Sequence, residues 1–152
     1  MSDISLSFAS ADDLDAVVGL LRECALPHED IGEHLSGLIA AKRDKNLIGT
    51  VALEIYESVG LLRSLAVTEA CRSHGLATEL LTQIVTHARP SGVERLFLLT
   101  TTAQDFFTKR GFASFERTLV PGAIAGTEEF RTLCPGTATC MSKDISLKVH
   151  LE

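Results

Sequence analysis

A short segment near the middle of the chain has the residue types of a phosphate-binding loop. Residues 61–67 form an apolar run of strand length, and residues 72–77, which read Arg-Ser-His-Gly-Leu-Ala, lead into a helical pattern. The small residues Gly75 and Ala77 allow close approach to the backbone, and the first N–H groups of a helix suit a pyrophosphate. The same spacing also occurs in helix-entry turns without a ligand. The segment therefore predicts a phosphate-binding loop, with a plain helix entry as the alternative.

A charged residue interrupts the apolar run that precedes this loop. Arg63 stands between leucines in a strand-like pattern, where an unpaired cation would be costly. Two interpretations are open: Arg63 is a clamp for an anionic group of a substrate, or it forms an internal ion pair with Glu54 on the preceding predicted strand. Ser64 beside it is a second candidate substrate-binding residue. Arg117 is a further candidate clamp, with a surface ion pair as its alternative.

The cysteines and histidines do not form a metal motif. Cys24, Cys71, Cys134 and Cys140 have neither CxxC spacing nor the density of a disulfide framework, so we expect reduced thiols. Cys134 and Cys140 are predicted to pack in an apolar tail rather than to bind a soft metal or metalloid. The histidines outside the 72–77 segment have no mate at metal-ligand spacing, and we predict no metal.

The composition is that of one globular domain. The chain has 152 residues, of which 45% are hydrophobic and 22% charged, so we expect a single domain over residues 1–150, with residues 151–152 as a cloning remnant. The net charge of −6 argues against nucleic acid or an anionic membrane as partner. The N-terminus lacks a signal-peptide pattern and no segment reaches membrane-spanning length, so we predict a cytoplasmic protein.

The first half of the chain reads as a strand, a helix and a three-stranded meander. Alternation over residues 4–8 predicts a strand, and Ser10 with Asp13 forms a capping box for a helix that ends before Pro27. Residues 28–37 predict a loop or short helix, and their place before the second strand suits a lid. Strands are predicted near residues 37–42, 47–56 and 60–67, with turns at 44–46 and 57–59.

The second half alternates helices and strands. A 3.6-residue apolar period predicts a helix over residues 76–88, and further elements follow: a strand at 95–100, a helix at 103–110, a strand at 112–120, helical turns in the tail, and a last strand near 137–144. This order predicts an α/β fold with a mixed, mostly antiparallel sheet of about six to seven strands flanked by helices. The tail residues Ala123, Ile124, Phe130, Leu133 and Met141 are either a dimer contact or ordinary core.

Two motifs at this separation resemble those of the GNAT superfamily of N-acyltransferases. Residues 61–67 with 72–77 resemble motif A, the Arg/Gln-x-x-Gly-x-Gly/Ala loop that holds the CoA pyrophosphate. Residues 103–112 resemble the A-x-x-F-Y-x-x-x-G-F helix beside the pantetheine. The resemblance implies the GNAT fold, acetyl-CoA as cosubstrate, a small-molecule amine as acceptor and a homodimer. It implies that the cofactor-binding residues are Leu65, Ala66, Val67, Arg72, Ser73, His74, Gly75, Leu76, Ala77, Thr78, Phe106, Phe107 and Lys109.

A closer resemblance extends over nearly the whole chain. Residues 26–31, with Asp30-Ile31, and residues 51–54, 60–67 and 98–103 are similar to the arsenic-resistance branch of the superfamily, as are Phe130, residues 133–135 and residues 140–141. That branch, the arsinothricin N-acetyltransferases, is related in task to the phosphinothricin acetyltransferases. The resemblance implies detoxifying acetylation of the amine of a glutamate-like arsinic or phosphinic amino acid. The alternatives are a GNAT for another small amine and a non-catalytic acyl-CoA-binding GNAT.

The superfamily's catalytic roles carry over incompletely. The strand that contains Val67 is expected to offer that residue's N–H to the thioester oxyanion, a donor that contributes about 3 kcal/mol when preorganised. Many members have a glutamate where this chain has Leu61, so Glu54 is the candidate general base, with a solvent-facing strand residue as the alternative. Phe107 replaces the usual tyrosine acid.

The proton for the CoA thiolate must therefore come from another source. Water is one candidate, and the hydroxyls of Tyr56 and residues 100–102 are the others, with Thr101 also a candidate substrate contact.

Overall fold

The computed structural model describes residues 3–133 and 136–146. It confirms the predicted α/β fold, with a seven-stranded, mostly antiparallel sheet in the order β1-β2-β3-β4-β5-β7-β6. In the part of the chain described, no helix is long and apolar enough to cross a membrane. The strands are β1 (Ile4–Phe8), β2 (Leu38–Arg43), β3 (Asn46–Tyr56), β4 (Val59–Val67), β5 (Arg95–Thr100), β6 (Ala113–Ser114) and β7 (Thr139–Asp144). The helices are α1 (Leu14–Glu23), α2 (Leu76–Ala88), α3 (Gln104–Thr108) and α4 (Gly122–Ala125).

The chain forms two compact units. The first comprises Met1–Glu54 and Leu62–Val85, and the second comprises Ile55–Leu61 and Thr86–Glu152. A single domain over residues 1–150 stays a prediction, and the predicted remnant at residues 151–152 lies outside the described residues.

A tight hairpin joins β2 to β3 in the first unit. β2 pairs antiparallel with β1 on one side and with β3 on the other. The turn residues Asp44 and Lys45 have φ values of 52° and 71°, the left-handed pair of a type I′ turn, whose twist matches that of the flanking strands. The predicted turn at this position is therefore confirmed.

A 3₁₀ turn (Ala11–Asp13), capped by Ser10, leads into helix α1, which ends as the sequence predicts. The N–H of Ser10 donates to the Asp13 carboxylate at 2.9 Å, which is one half of the capping box, and Lys42 Nζ lies 2.7 Å from the other Asp13 oxygen. At the other end Ala25 has a φ of 58°, which ends the helix before Pro27. The buried face of α1 contributes to the first unit's core, which consists of Val17, Leu20, Leu21, Ile31, Leu38, Ala40, Ala52 and Ala66.

Helix α2 packs closely on β3 because the strand has a glycine at the contact. A Cβ on Gly49 would lie 3.0 Å from a Leu80 methyl and 3.2 Å from a Leu76 methyl. A larger residue would therefore push the helix off the strand. This contact fixes the start of α2, and with it the loop at residues 72–75, against the sheet.

The second unit is built on β5. The first residues of β4 pair parallel with β5, from Val59 opposite Arg95 to Leu61 opposite Phe97, and β7 pairs antiparallel with the other edge of β5. Phe97 contacts Phe115 edge to face, with ring centroids 5.2 Å apart. The buried core of this unit consists of Leu61, Phe97, Ile124, Phe130 and Cys140.

One strand prediction for the second unit is wrong, and the structure bears on one alternative that the sequence left open. The strand predicted over residues 112–120 is only two residues long, and a 3₁₀ turn follows at Arg117–Leu119, because Arg117 donates to the Phe130 carbonyl at 2.9 Å and folds the segment back. Of the tail residues considered as a dimer contact, Ile124, Phe130 and Met141 are buried. Core packing is therefore the interpretation that the structure supports for these three, and the Leu133 side chain is not among those described.

Candidate active site

An ion-paired arginine lies at the centre of the first unit. Arg63 on β4 has a fully buried side chain, and its two terminal nitrogens each lie 2.7 Å from an oxygen of Asp30. Its Nη1 also donates to Glu54 Oε2 on β3 at 2.9 Å. Glu54 is buried as well, so the solvent-facing alternative for that residue is wrong. Of the two interpretations of Arg63, these contacts support the internal ion pair.

A histidine completes this cluster at its solvent-facing side. His34 Nε2 lies 3.4 Å from Asp30 Oδ2 and 3.5 Å from Glu54 Oε2. Its side chain is 26% exposed, against 8% for Asp30 and 4% for Glu54. A 3₁₀ segment, Ile31–Gly37, carries His34, and the fully buried Ile31 anchors that segment in the core. The segment whose position suits a lid is thus anchored in the core of the first unit at Ile31.

Sequence reasoning missed the roles of Asp30 and His34. Two signals were available. The acid and the histidine are four residues apart, and a buried arginine paired with one acid still has N–H donors that need a second acceptor. Neither residue lies near Glu54 or Arg63 in the sequence, so only the folding of β2, β3 and β4 brings the four together.

The electrostatics of the cluster favour the charged form of the Asp30 carboxylate. Burial acts to raise the pKa of Asp30, but the hydrogen bonds and positive charge of Arg63, with a contribution from His34, lower it below its ordinary value. Two carboxylates and one guanidinium leave one negative charge uncompensated. Oxygen and nitrogen atoms of Asp30, His34 and Glu54 lie within 4.8 Å of one another, yet Arg63 already supplies a cation there, so we assign no metal.

A strained residue follows Arg63 on β4. Ser64 has a φ of 60°, a left-handed conformation that costs a non-glycine residue about 1–3 kcal/mol and tends to occur at functional sites. Thr50 Oγ1 donates to the Ser64 carbonyl at 2.8 Å, and Arg63 Nε donates to Ser64 Oγ at 3.3 Å. These bonds hold the irregular backbone immediately before the predicted oxyanion-binding residues of β4.

The predicted phosphate loop has the backbone of an anion-binding turn. Ser73 and Gly75 have φ values of 69° and 84°, and residues 72–75 are exposed just before α2 begins at Leu76. Alternating left-handed residues at a helix N-terminus turn successive N–H groups to one side. Arg72 donates from Nε to the Val67 carbonyl at 3.0 Å, so its guanidinium braces the end of β4 against the loop.

The predicted cofactor-binding residues of the first unit form two stretches, the end of β4 at residues 65–67 and the loop with the start of α2 at residues 72–78. Ala66, Val67 and Leu76 are buried. The remaining members are at least partly exposed: Leu65, Ala77 and Thr78 are half-buried, and Arg72, Ser73, His74 and Gly75 are exposed.

Most of the site residues predicted in the second unit have structural contacts there. Phe107 is buried and its ring centroid lies 5.4 Å from that of Phe112. The Phe106 ring lies under the Arg110 guanidinium at 3.6 Å. Thr101 and Lys109 are exposed.

Three further side chains of this unit were considered for substrate binding or proton transfer. Arg117 Nη2 donates to the Phe130 carbonyl at 2.9 Å. Thr100 Oγ1 accepts the Ala103 N–H at 2.9 Å and so stabilises the start of α3. Tyr56 packs against the second unit's core.

Cys140 is a core residue. Its side chain packs with the second unit's core, and burial raises the pKa of its thiol to about 11, so it is a poor soft-metal ligand at neutral pH. The packing prediction is confirmed for Cys140, and Cys134 lies outside the described residues.

Comparisons with known proteins agree with the motifs and the fold. Residues 6–112 match the model of the acetyltransferase (GNAT) family. An amino-acid acetyltransferase of Neisseria meningitidis is 29% identical over 127 residues, which cover 78% of this chain and 29% of that protein. The chain therefore spans less than a third of this curated relative.

Solved structures extend the comparison to three dimensions. N-acetylglutamate synthase of Neisseria gonorrhoeae, crystallised with coenzyme A and L-arginine, superposes with a TM-score of 0.81 at 26% identity, over 95% of this chain and 34% of that one. A protein proposed to be a phosphinothricin N-acetyltransferase superposes with a TM-score of 0.68 at 19% identity, over 95% of this chain and 99% of that one. The second likeness supports the fold alone.

Proposed function

The chain belongs to the acetyltransferase (GNAT) family, and from this premise we propose that it transfers an acetyl group from acetyl-CoA to the α-amino group of an amino acid. The observation that carries the proposal is the loop at residues 72–75, where Ser73 and Gly75 adopt the left-handed backbone of an anion nest at the start of a 13-residue helix. Relatives of this family that bind coenzyme A support acetyl-CoA as the donor.

In this proposal the loop at residues 72–75 binds the phosphates of acetyl-CoA, and the end of β4 binds its thioester. N–H groups of residues 73–76 bind the pyrophosphate, and the polarised start of α2 favours its negative charge. The backbone N–H of Val67 donates to the thioester oxygen as the tetrahedral intermediate forms. Arg72 donates to the Val67 carbonyl. This bond couples the pyrophosphate loop to the oxyanion-binding residue, because a shift of the loop moves the end of β4.

An amino acid is the acceptor class that the comparisons favour. The curated relatives include amino-acid acetyltransferases. The buried cluster consists of Arg63 on β4, four residues before Val67, with Glu54 on β3 and Asp30 immediately before the 3₁₀ segment Ile31–Gly37. In this proposal Glu54 lies where the amino acid binds and takes part in removing the proton from its amino group. Arg63 acts there by holding Asp30 and Glu54 rather than by gripping a substrate anion directly.

The finer proposal is a glutamate-like acceptor with a second anionic group, such as arsinothricin or phosphinothricin. It is supported by the whole-chain resemblance to the arsenic-resistance branch, with Ser64, Thr101 and Arg117 as substrate-binding candidates. A cytoplasmic homodimer belongs to the same proposal.

A thiol-release assay with acetyl-CoA tests this function. The purified chain is offered L-glutamate, arsinothricin and phosphinothricin as anionic acceptors, with spermidine and an aminoglycoside as cationic ones. We expect release with at least one anionic amino acid and formation of its N-acetyl product by mass spectrometry.

The same panel distinguishes the alternatives. Thiol release with a cationic amine alone would contradict the amino-acid acceptor and indicate a polyamine or aminoglycoside acceptor instead. Thermal stabilisation by acetyl-CoA without thiol release from any amine would indicate an acyl-CoA-binding protein that does not turn over.

A further inference from the structure

His34 is the member of the buried cluster that meets solvent. Arg63 is fully buried, and Asp30 and Glu54 are 8% and 4% exposed, whereas the His34 side chain is 26% exposed. Both carboxylates already accept hydrogen bonds from Arg63 at 2.7–2.9 Å. An amine that approaches this cluster therefore reaches the imidazole more readily than either acid.

The two acids also decide which imidazole nitrogen can accept a proton. Asp30 Oδ2 and Glu54 Oε2 both face His34 Nε2, at 3.4 Å and 3.5 Å. In neutral histidine one nitrogen carries the hydrogen and the other accepts, and flanking acceptors favour the hydrogen on the nitrogen that they face. The Nε2–H tautomer follows, which leaves the Nδ1 lone pair as the proton acceptor.

The charges around His34 suit a residue that becomes cationic during the reaction. The titratable and charged groups that face it are Asp30 on its own segment and Glu54 on β3, with Arg63 on β4 between them. These groups sum to one negative charge. A proton taken up on Nδ1 brings the formal charge of the cluster to zero.

From this arrangement we infer that His34 Nδ1 is the general base of the acetyl transfer, with Asp30 and Glu54 as positioning residues that fix its tautomer and Arg63 as the residue that holds both acids. This inference rests on the proposed function and deepens it. It replaces direct proton abstraction by Glu54, whose carboxylate is buried, with abstraction through the histidine that Glu54 contacts.

The proton balance of the step is complete. The substrate ammonium gives one proton to His34 Nδ1, and the freed amine attacks the thioester carbon, forming the N–C bond. As the C–S bond breaks, the nitrogen loses a second proton. One of the two protons ends on the sulfur of CoA and the other leaves to solvent through His34, so no further reactant is needed.

The test compares His34→Gln with the wild type, and with His28→Gln as the matched control. Glutamine retains an N–H donor for the two acids but has no ring nitrogen to accept a proton. General-base removal typically costs about 10²–10⁴-fold in rate, so we expect kcat/KM of H34Q for its best amine in the panel to fall by at least about 100-fold. The Kd for acetyl-CoA should remain unchanged.

Two further readouts separate catalysis from structure. A general base acts only in its unprotonated form, so the wild type should lose activity toward acid pH, and H34Q should lack that limb of the kcat/KM profile while H28Q retains it. Imidazole in the buffer should restore part of the activity of His34→Ala. Activity of H34Q within about threefold of the wild type, with the acid limb retained, would overturn the inference.

Nitrogen NMR of histidine-labelled protein tests the tautomer without turnover. Neutral His34, assigned by its absence from the H34Q spectrum, should show a protonated Nε2 and a bare Nδ1. The opposite tautomer would overturn the inference even in an active enzyme. Absence of thiol release from the wild type with every amine would instead refute the proposed function, so the two failures are distinguishable.

Discussion

Both terminal nitrogens of Arg63 lie 2.7 Å from the two carboxylate oxygens of Asp30, 33 positions away in the chain. This paired geometry fits a planar guanidinium to a carboxylate, and an ammonium group cannot reproduce it. Nη1 also donates to Glu54. A single buried side chain on β4 therefore contacts both β3 and Asp30, the residue immediately before the 3₁₀ segment Ile31–Gly37. The arginine thus holds both acids in one buried cluster.

Replacing Arg63 should damage stability first. Arg63→Met leaves two buried carboxylates without their cation, and breaking a buried pair in this way typically costs about 3–5 kcal/mol. Arg63→Lys should lose less, because a single nitrogen keeps the charge but not both contacts. Urea denaturation measures the difference, with Arg95→Met as control, since Arg95 is 41% exposed and lies 4.0 Å from Asp144.

An Arg63→Met variant of normal stability would contradict the ion-pair role. A normal unfolding free energy for Arg63→Met together with a raised KM for an anionic amino acid would restore Arg63 as a direct substrate clamp.

Asp30 should make stability depend on pH in the acid range. Its pKa is lowered in the folded protein, so the unfolded chain binds the proton more readily. The stabilisation is present above the ordinary aspartate pKa of about 3.9 and is lost as the pH falls below it toward the lowered value. Asp30→Asn should be less stable at neutral pH and should show a shallower loss on acidification.

Urea denaturation at a series of pH values between neutral and about 3 checks this. Asp3→Asn, at an exposed position, is the control and should retain the wild-type slope. An equal slope for Asp30→Asn and the wild type would remove Asp30 as the source of the acid sensitivity.

The sequence predicted the elements that local chemistry determines. The capping box at Ser10, the turn at residues 44–46 and the helix entry at residues 72–77 each depend on neighbouring residues, and the structure has them at these positions. The strand prediction at residues 112–120 was wrong because Arg117 donates to the Phe130 carbonyl and folds the segment into a turn. That contact joins residues 13 positions apart, so local alternation does not reveal it.

The candidate site was predictable only in part for a similar reason. The buried arginine required acids, and Glu54 could be chosen because it lies on the adjacent predicted strand. Asp30 and His34 belong to an irregular segment that no periodicity describes, and their distances to β3 and β4 are set by the packing of Ile31 in the core. The resemblance included Asp30-Ile31, but gave the pair no role.

Ser64 should tolerate glycine better than a branched residue. Its φ of 60° lies in the region that glycine occupies without strain and that β-branched residues avoid. We expect Ser64→Gly to be close to the wild type in unfolding free energy and Ser64→Val to lose about 2 kcal/mol or more. Thermal and urea unfolding measure both, and equal stability of the two variants would show that the left-handed backbone is not retained in solution.

Gly75 should be required for CoA binding through its backbone alone. Its φ is 84°, and a Cβ at this position would have nothing within 4 Å, so Gly75→Ala introduces conformational strain, of about 1–2 kcal/mol, without a clash. Gly92 is a matched control, because it has a φ of 92° and equally open surroundings but lies after α2 rather than before it. Both alanine variants should lose similar stability, and only Gly75→Ala should raise the Kd for acetyl-CoA, by roughly tenfold for 1.4 kcal/mol. Isothermal titration calorimetry with acetyl-CoA checks this, and an unchanged Kd in Gly75→Ala would argue against the loop as the pyrophosphate site.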